Sequence, residues 1–225
     1  MILHIESSTK NCSVSLARDG QLIQCRELFS QDYRHSALLH CFIQEILDEN
    51  KVPPTSLQAI AVSQGPGSYT GLRIGVSAAK GICYALQIPL IGINTLGIMG
   101  QPVSIGSEEL IACILDARGS NLYALLLDDS KRIIKATWFE NLENPTIENV
   151  SKGKQLTVVG DGQKKLKNFL PDLEATYIPE IQCPSSKNMI QFAYHKYSEK
   201  EFENIHDFEP FYLREFHPTK RKKVK

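Results

Sequence analysis

The spacing of apolar residues divides the first hundred positions into distinct elements. Residues 2–5 (ILHI) predict a short apolar strand, and residues 7–10 a polar turn. The stretch 12–29, CSVSLARDGQLIQCRELF, predicts two strands joined at Asp19-Gly20, a dipeptide that suits the positive φ angles of a tight hairpin turn. From 35 to 49 the period changes. Leu38, Leu39, Phe42, Ile43, Ile46 and Leu47 recur at helical spacing, and Pro53-Pro54 stops the chain soon afterwards. Residues 57–63 (LQAIAVS) predict a buried strand, a glycine turn leads into a second helix over 70–86, and a strand follows over 89–94. The order is strand, strand, strand, helix, strand, helix, strand.

The second half repeats this plan. Laid 110 positions apart, IESSTKNCSVSLARDGQLI and LDARGSNLYALLLDDSKRI align without a gap: Glu6 falls on Asp116, Asn11 on Asn121, and the Asp19-Gly20 turn on Asp129-Ser130. Residues 155–163 then play the part of the earlier buried strand and glycine turn, before a helix over 163–170 and a longer one over 186–200. Two such units face to face predict an α/β fold, the duplicated, two-lobe architecture of actin, hexokinase and the heat-shock ATPases, built on a ribonuclease H-like unit. The boundary is expected near 101–107, where QPVSIGS is polar and carries proline and glycine. That gives an N-terminal lobe over 1–101, a smaller C-terminal lobe over 102–217 and a basic, flexible tail over 218–225.

Composition narrows the classes. With 42% apolar and 22% charged residues the chain can fill a core, and its formal net charge of zero gives no overall field to draw it onto nucleic acid or a membrane. Any RNA contact must be local, as through Lys220, Arg221, Lys222, Lys223 and Lys225, or borrowed from a partner. The six cysteines form no CxxC pair and read as reduced thiols rather than a disulfide framework or zinc site. The chain opens directly on a strand pattern, and no apolar run approaches the ~20 residues that span a bilayer. A soluble, cytoplasmic protein is expected.

The chemistry concentrates in 63–86, SQGPGSYTGLRIGVSAAKGICYAL. A strand that ends in Gly65-Pro66-Gly67 and passes through Ser68 into a helix can present free backbone N–H groups to an anion or nucleotide, with Glu6 and Asp116 at the equivalent turns of the two halves. The plainer alternatives are that the glycines only permit a turn and that each acid caps its own turn. The loop lacks the lysine of a P-loop. Within the helix, Gly71, Gly75 and Ala79 recur every fourth residue beside Ala78. Glycine costs a helix about 1 kcal/mol against alanine, a cost accepted where another backbone comes close. That backbone is either the chain's own sheet or a second protein. Gly71, Arg73, Gly75, Ala78 and Ala79 form the candidate partner face, and on that reading Gly75→Trp abolishes association while the fold survives.

Gly65 to Arg73 match throughout the glycine-proline-glycine-serine-aromatic-threonine-glycine-leucine-arginine signature of the TsaB family, which this chain resembles. IESSTKNCSVSL, LDARGSNLYAL and PFYLRE extend the resemblance over both lobes. The catalytic paralogue TsaD shares the fold and carries a metal-binding HxxxH after a strand. Here Thr95 and Met99 stand where its two histidines would be, and neither suits a catalytic iron or zinc. The resemblance therefore implies a non-catalytic partner of the TsaD threonylcarbamoyltransferase in modification of tRNA adenosine. It implies no metal and no intrinsic cofactor, ATP or ADP only at the interface of the complex, a TsaE-type ATPase as further partner, tRNA met through the complex, and a homodimer when alone. His35 and His40, about 140° apart around a helix, do not replace the missing ligands. An independent ATP-dependent kinase and a glycoprotease-like hydrolase of the same fold are the alternatives; no serine–histidine–aspartate order supports the second.

Overall fold

A computed structural model describes residues 1–30, 35–151 and 153–213. The first half runs β1 (Ile2–Glu6), β2 (Asn11–Arg18), β3 (Gln21–Phe29), α1 (His35–Glu49), β4 (Ala59–Gly65), α2 (Tyr69–Leu86), β5 (Leu90–Asn94) and α3 (Thr95–Gly100). The second runs β6 (Glu109–Asp116), β7 (Asn121–Leu127), β8 (Ile133–Asn141), α4 (Ile147–Ser151), β9 (Gln155–Val159), α5 (Gln163–Phe169) and β10 (Ala175–Tyr177), then a 3-10 turn Ser186–Met189 and α6 (Ile190–Ser198). The two sheets have the orders β3-β2-β1-β4-β5 and β8-β7-β6-β9-β10. In each, the first three strands are antiparallel and the last two join parallel to the first. Matching strand order and direction is the duplication made visible, and the fold is the two-lobe, actin-like α/β architecture.

The inner strands of each sheet are buried on both faces, so their inward and outward positions are alike mostly apolar, whereas β3 and β8 are largely open to solvent. Leu3 and Ile5 of β1 face α1 and α2, together with Leu39, Ile46 and Val76. Ile2 faces the other way, toward Met189 and Ala193 of the C-terminal segment. In the second sheet Leu110, Ala112 and Ile114 pack beneath α4 and α5, while Ile111, Cys113 and Leu115 turn toward α3. The hairpin forms as expected, with Asp19 and Gly20 at φ 50° and 76°. Its counterpart between β7 and β8 is longer, closed by Asp128 N–H to the Arg132 carbonyl at 3.0 Å, so the repeat drifts out of register after β7.

Three features depart from the expected division. Helix α3 was not foreseen: TLGIMG is too short and glycine-rich to nucleate alone. It is held by Asn94, whose side chain accepts from the N–H groups of Leu96 and Gly97 at 2.9 and 3.1 Å, and by burial between the sheets. The expected helix over 186–200 begins as a 3-10 turn and ends at Ser198. Residues 183–213, placed by sequence order in the C-terminal lobe, pack largely on the first lobe. Met189 and Ala193 share a core with Ile91 and Ile93, and Glu203 bridges to Leu90 of the edge strand β5. The basic tail over 218–225 lies outside the described residues. No helix among those described is long and apolar enough to cross a membrane.

Candidate functional site

The signature loop sits between β4 and α2, and two of its backbone N–H groups are already engaged. The Gly65 N–H donates to Thr95 Oγ1 at 3.2 Å and the Ser68 N–H to the Ser8 carbonyl at 2.6 Å. Ser68 caps α2, its hydroxyl accepting from the Gly71 N–H at 3.3 Å. Gly65 adopts φ +117°, and a Cβ there would lie 2.6 Å from the Phe211 carbonyl oxygen. The expected open cradle at Gly65, Gly67 and Ser68 is therefore corrected: Gly65 and Ser68 spend their N–H groups on the chain itself, and Gly67 is pressed against Ser8.

The helix glycines receive the same correction. A Cβ on Gly71 would run into the Ser7 carbonyl oxygen, and one on Gly75 into the Ser7 hydroxyl. The Ser7 hydroxyl donates to the Gly71 carbonyl at 2.9 Å. Gly71, Gly75, Ala78 and Ala79 are all buried against their own lobe, so they cannot be a partner face. Of the five candidates only Arg73 is exposed, and its guanidinium lies 4.1 Å over the Tyr69 ring while Nε donates to the Tyr212 hydroxyl at 3.2 Å. The face of α2 that does meet solvent carries Thr70, Arg73, Ser77, Gly81, Tyr84 and Ala85. Ser77, Gly81 and Ala85 repeat the every-fourth-residue spacing of the buried stripe. Around Gly81 no atom comes within 4 Å of where a Cβ would stand.

Glu6 and Asp116 occupy matching turns and do matching work. Glu6 Oε1 accepts from the Ser8 N–H at 2.6 Å and the Ser8 hydroxyl at 2.5 Å. Asp116 Oδ1 accepts from the Arg118 N–H at 2.7 Å. Each acid caps the residue two positions on, the turn-capping alternative. They differ in setting. Glu6 is fully buried, and burial pushes its carboxyl up to about 7 against the pull of the Ser8 donors. Asp116 is open to solvent, paired with Lys165, and its N–H donates to Asp161 Oδ1 at 2.8 Å. The structure thus gathers Glu6, Gly67 and Ser68 around the β1–β2 turn, whereas Asp116 belongs to a cluster with Asp161 and Lys165.

Thr95 and Met99 are wholly buried. Met99 and Leu96 enter the core of the second lobe while Ile98 enters that of the first, so α3 wedges the lobes together with apolar side chains. Thr95 spends its hydroxyl on the signature loop. Among the described residues no group of three or more His, Cys, Asp or Glu side chains could hold a metal ion. The chain purified alone will hold no stoichiometric iron or zinc; one firmly bound ion per chain in elemental analysis would refute this. The six cysteines are free, and burial raises the thiols of Cys12 and Cys83 to about 12 and of Cys183 to about 11.

The sequence did not point to Ser7, Ser8, Thr95 or Tyr212 as partners of the signature. Tyr212 lies in PFYLRE, and its ring centroid is 5.1 Å from that of Tyr69. Two segments that carried the family resemblance are thus in direct contact.

The comparisons with known proteins agree with that resemblance. Residues 28–192 match the family model described as TsaD, tRNA N6-adenosine threonylcarbamoyltransferase. The chain is 31% identical to the tRNA threonylcarbamoyladenosine biosynthesis protein TsaB of Escherichia coli (strain K12), over 95% of this chain and 94% of the relative. It is 32% identical to the TsaB of Buchnera aphidicola subsp. Baizongia pistaciae, over 95% and 98%. Among solved structures, YeaZ from Pseudomonas aeruginosa superposes with a TM-score of 0.80 over 94% of this chain and 99% of that one; at 23% identity this speaks to the fold alone.

Proposed function

Because the chain belongs to the family that the threonylcarbamoyltransferase model describes and, within it, to TsaB, we propose that it serves tRNA threonylcarbamoyladenosine biosynthesis as the non-catalytic partner of a TsaD paralogue. The paralogue carries out the transfer. This chain acts by holding it in a competent conformation, a shift in population rather than a chemical step. The observation that carries the reading is the bare ridge of α2, Ser77-Gly81-Ala85, with open space at Gly81 and Tyr84 at 65% exposure beside it. Helices approach closely where small residues recur every fourth position, and an exposed tyrosine beside them fits the enrichment of aromatic residues at interfaces.

The burial of Met99 in the second core and of Thr95 against the signature loop supports a role without metal chemistry. The apolar wedge of α3 supports placing ATP or ADP at the interface of the assembly rather than between this chain's lobes. We extend the assembly to a TsaE-type ATPase, to tRNA met through the complex, and to a homodimer when the partner is missing, with the same ridge as the shared surface. The kinase alternative is weakened by Glu6, which is sealed from solvent and committed to its own turn.

Gly81→Trp tests the ridge. The indole has room in the monomer, so the melting temperature should stay within a few degrees, while association with the TsaD paralogue of the same organism should fall at least tenfold, about 1.4 kcal/mol. Undiminished binding by calorimetry would remove α2 as the partner surface.

A further inference from the structure

The closing segment, residues 203–212, runs back along α2 and is tied to the first lobe at several points. The Glu203 N–H donates to the Leu90 carbonyl at 2.9 Å and the Phe211 N–H to the Gln64 carbonyl at 2.6 Å. Between and beyond these ties, α2 grips the segment with two cations. Lys80 Nζ donates to the Phe208 carbonyl at 3.0 Å and the His206 carbonyl at 3.4 Å, and Arg73 Nε donates to the Tyr212 hydroxyl at 3.2 Å. Arg73 and Lys80 are the only charged residues of α2. Seven positions apart, they lie about 10 Å from one another along the helix axis and about 20° apart around it, on nearly the same face. Both long side chains are thereby drawn sideways, off the ridge of Ser77, Gly81 and Ala85.

Side chains on a helix lean toward its N-terminus and cover the turn three to four residues before their own position. For Arg73 that places the guanidinium over Tyr69, where it is found. For Lys80 the same lean points to Val76 and Ser77, yet Lys80 is pulled instead to the carbonyls of the closing segment. We propose that residues 203–212 form a strap whose function is to hold Lys80 clear of Ser77, keeping the α2 ridge bare for a close helix contact; the inference rests on the partner reading of that ridge. Lys80 is a positioning residue here. With the strap in place it clears the surface, and with the strap gone it falls across Ser77 and separates the two backbones. The strap thereby sets the affinity of the ridge without itself touching the partner.

The test compares the full chain with one ending at Asn204, which keeps the Glu203–Leu90 bridge and loses the carbonyls that Lys80 holds. Both are titrated with the TsaD paralogue, each with and without Lys80→Ala. The expected result is an affinity at least tenfold weaker for the shortened chain, restored to within about threefold by Lys80→Ala in that same shortened chain. Equal affinities of the full and shortened chains, or a loss that Lys80→Ala does not restore, would overturn the strap while leaving the partner reading intact. Absence of binding by the full chain would overturn both. Shortening also removes Ile205 and Phe208, which pack on the first core, so a full-length pair repeats the test where the shortened chain does not fold. Lys80→Glu, which the strap's carbonyl oxygens repel and which retains the length to lie over Ser77, should weaken association tenfold more than Lys80→Ala. Equal effects of the two substitutions would overturn the proposal.

Discussion

Gly75→Trp will unfold this protein rather than release a partner. A single Cβ at Gly75 already overlaps the Ser7 hydroxyl, and the next nearest atoms are Ser7 Cβ and Ile5 Cγ2 at 3.4 and 3.5 Å. Ser7 cannot yield easily, because its hydroxyl is bonded to the Gly71 carbonyl and the β1–β2 turn around it is capped by Glu6. Overpacking by one or two methylenes costs about 1–3 kcal/mol. An indole at this point exceeds that several-fold, against a total stability of about 5–15 kcal/mol for an ordinary domain. The alanine pair gives a measurable version. Gly75→Ala should lower stability by about 1–3 kcal/mol, or roughly 2–12 °C in melting temperature for a chain of this size. Gly81→Ala meets nothing within 4 Å and should raise stability by up to about 1 kcal/mol through helix propensity alone. Thermal melts in which both alanines shift stability in the same direction would contradict the orientation of α2 described above.

That pair also marks where the sequence stops being legible. Helix α2 carries two stripes of small residues at the same spacing, Gly71-Gly75-Ala79 and Ser77-Gly81-Ala85. Periodicity says that each permits a close approach, but not which body approaches. Only the position of the Ser7–Ser8 turn, set by pairing of β1 with both β2 and β4, assigns the first stripe to the chain's own lobe. By contrast the Asp19-Gly20 hairpin and the helix over 35–49 were readable because each is specified locally, by φ preference and by apolar period. Helix α3 was not, since its stability comes from two sheets distant in sequence. The docking of α6 and of the closing segment onto the first lobe is likewise a tertiary choice: the apolar positions of 190–198 say that a face is buried, not against which sheet. At Glu6 the sequence left turn capping and a place beside a bound anion or nucleotide open, and burial with Ser8 as donor favours capping.

Glu6 also has the clearest consequence in solution. Burial raises its carboxyl from an ordinary 4.5 to about 7, so between those values the folded protein holds a proton that the unfolded chain has released. Stability contributed by this group is therefore full below about pH 4.5 and declines as pH rises toward 7. A shift of that size corresponds to about 3 kcal/mol. His4, two residues earlier on the same strand and also fully buried, works in the opposite sense. Its imidazole is lowered to about 4, so its contribution is lost as pH falls from 6.5 toward 4. The two slopes nearly cancel between pH 4.5 and 6.5, and the parent protein alone would show little. Glu6→Gln removes one slope and leaves the other. Its amide oxygen can still accept from the Ser8 N–H, while the amide nitrogen takes the place of Oε2, which has no hydrogen-bond partner. At pH 4.5 the parent's carboxyl carries its own proton on that oxygen, so the amide adds only one further N–H to place, at a cost of up to about 1–3 kcal/mol, and the variant should be no more stable than the parent. By pH 8 the difference should have moved about 3 kcal/mol in the variant's favour. Urea unfolding of both proteins at pH 4.5, 6 and 8 reads this directly, and a difference that stays constant across the three would mean that Glu6 titrates as an ordinary solvated carboxylate.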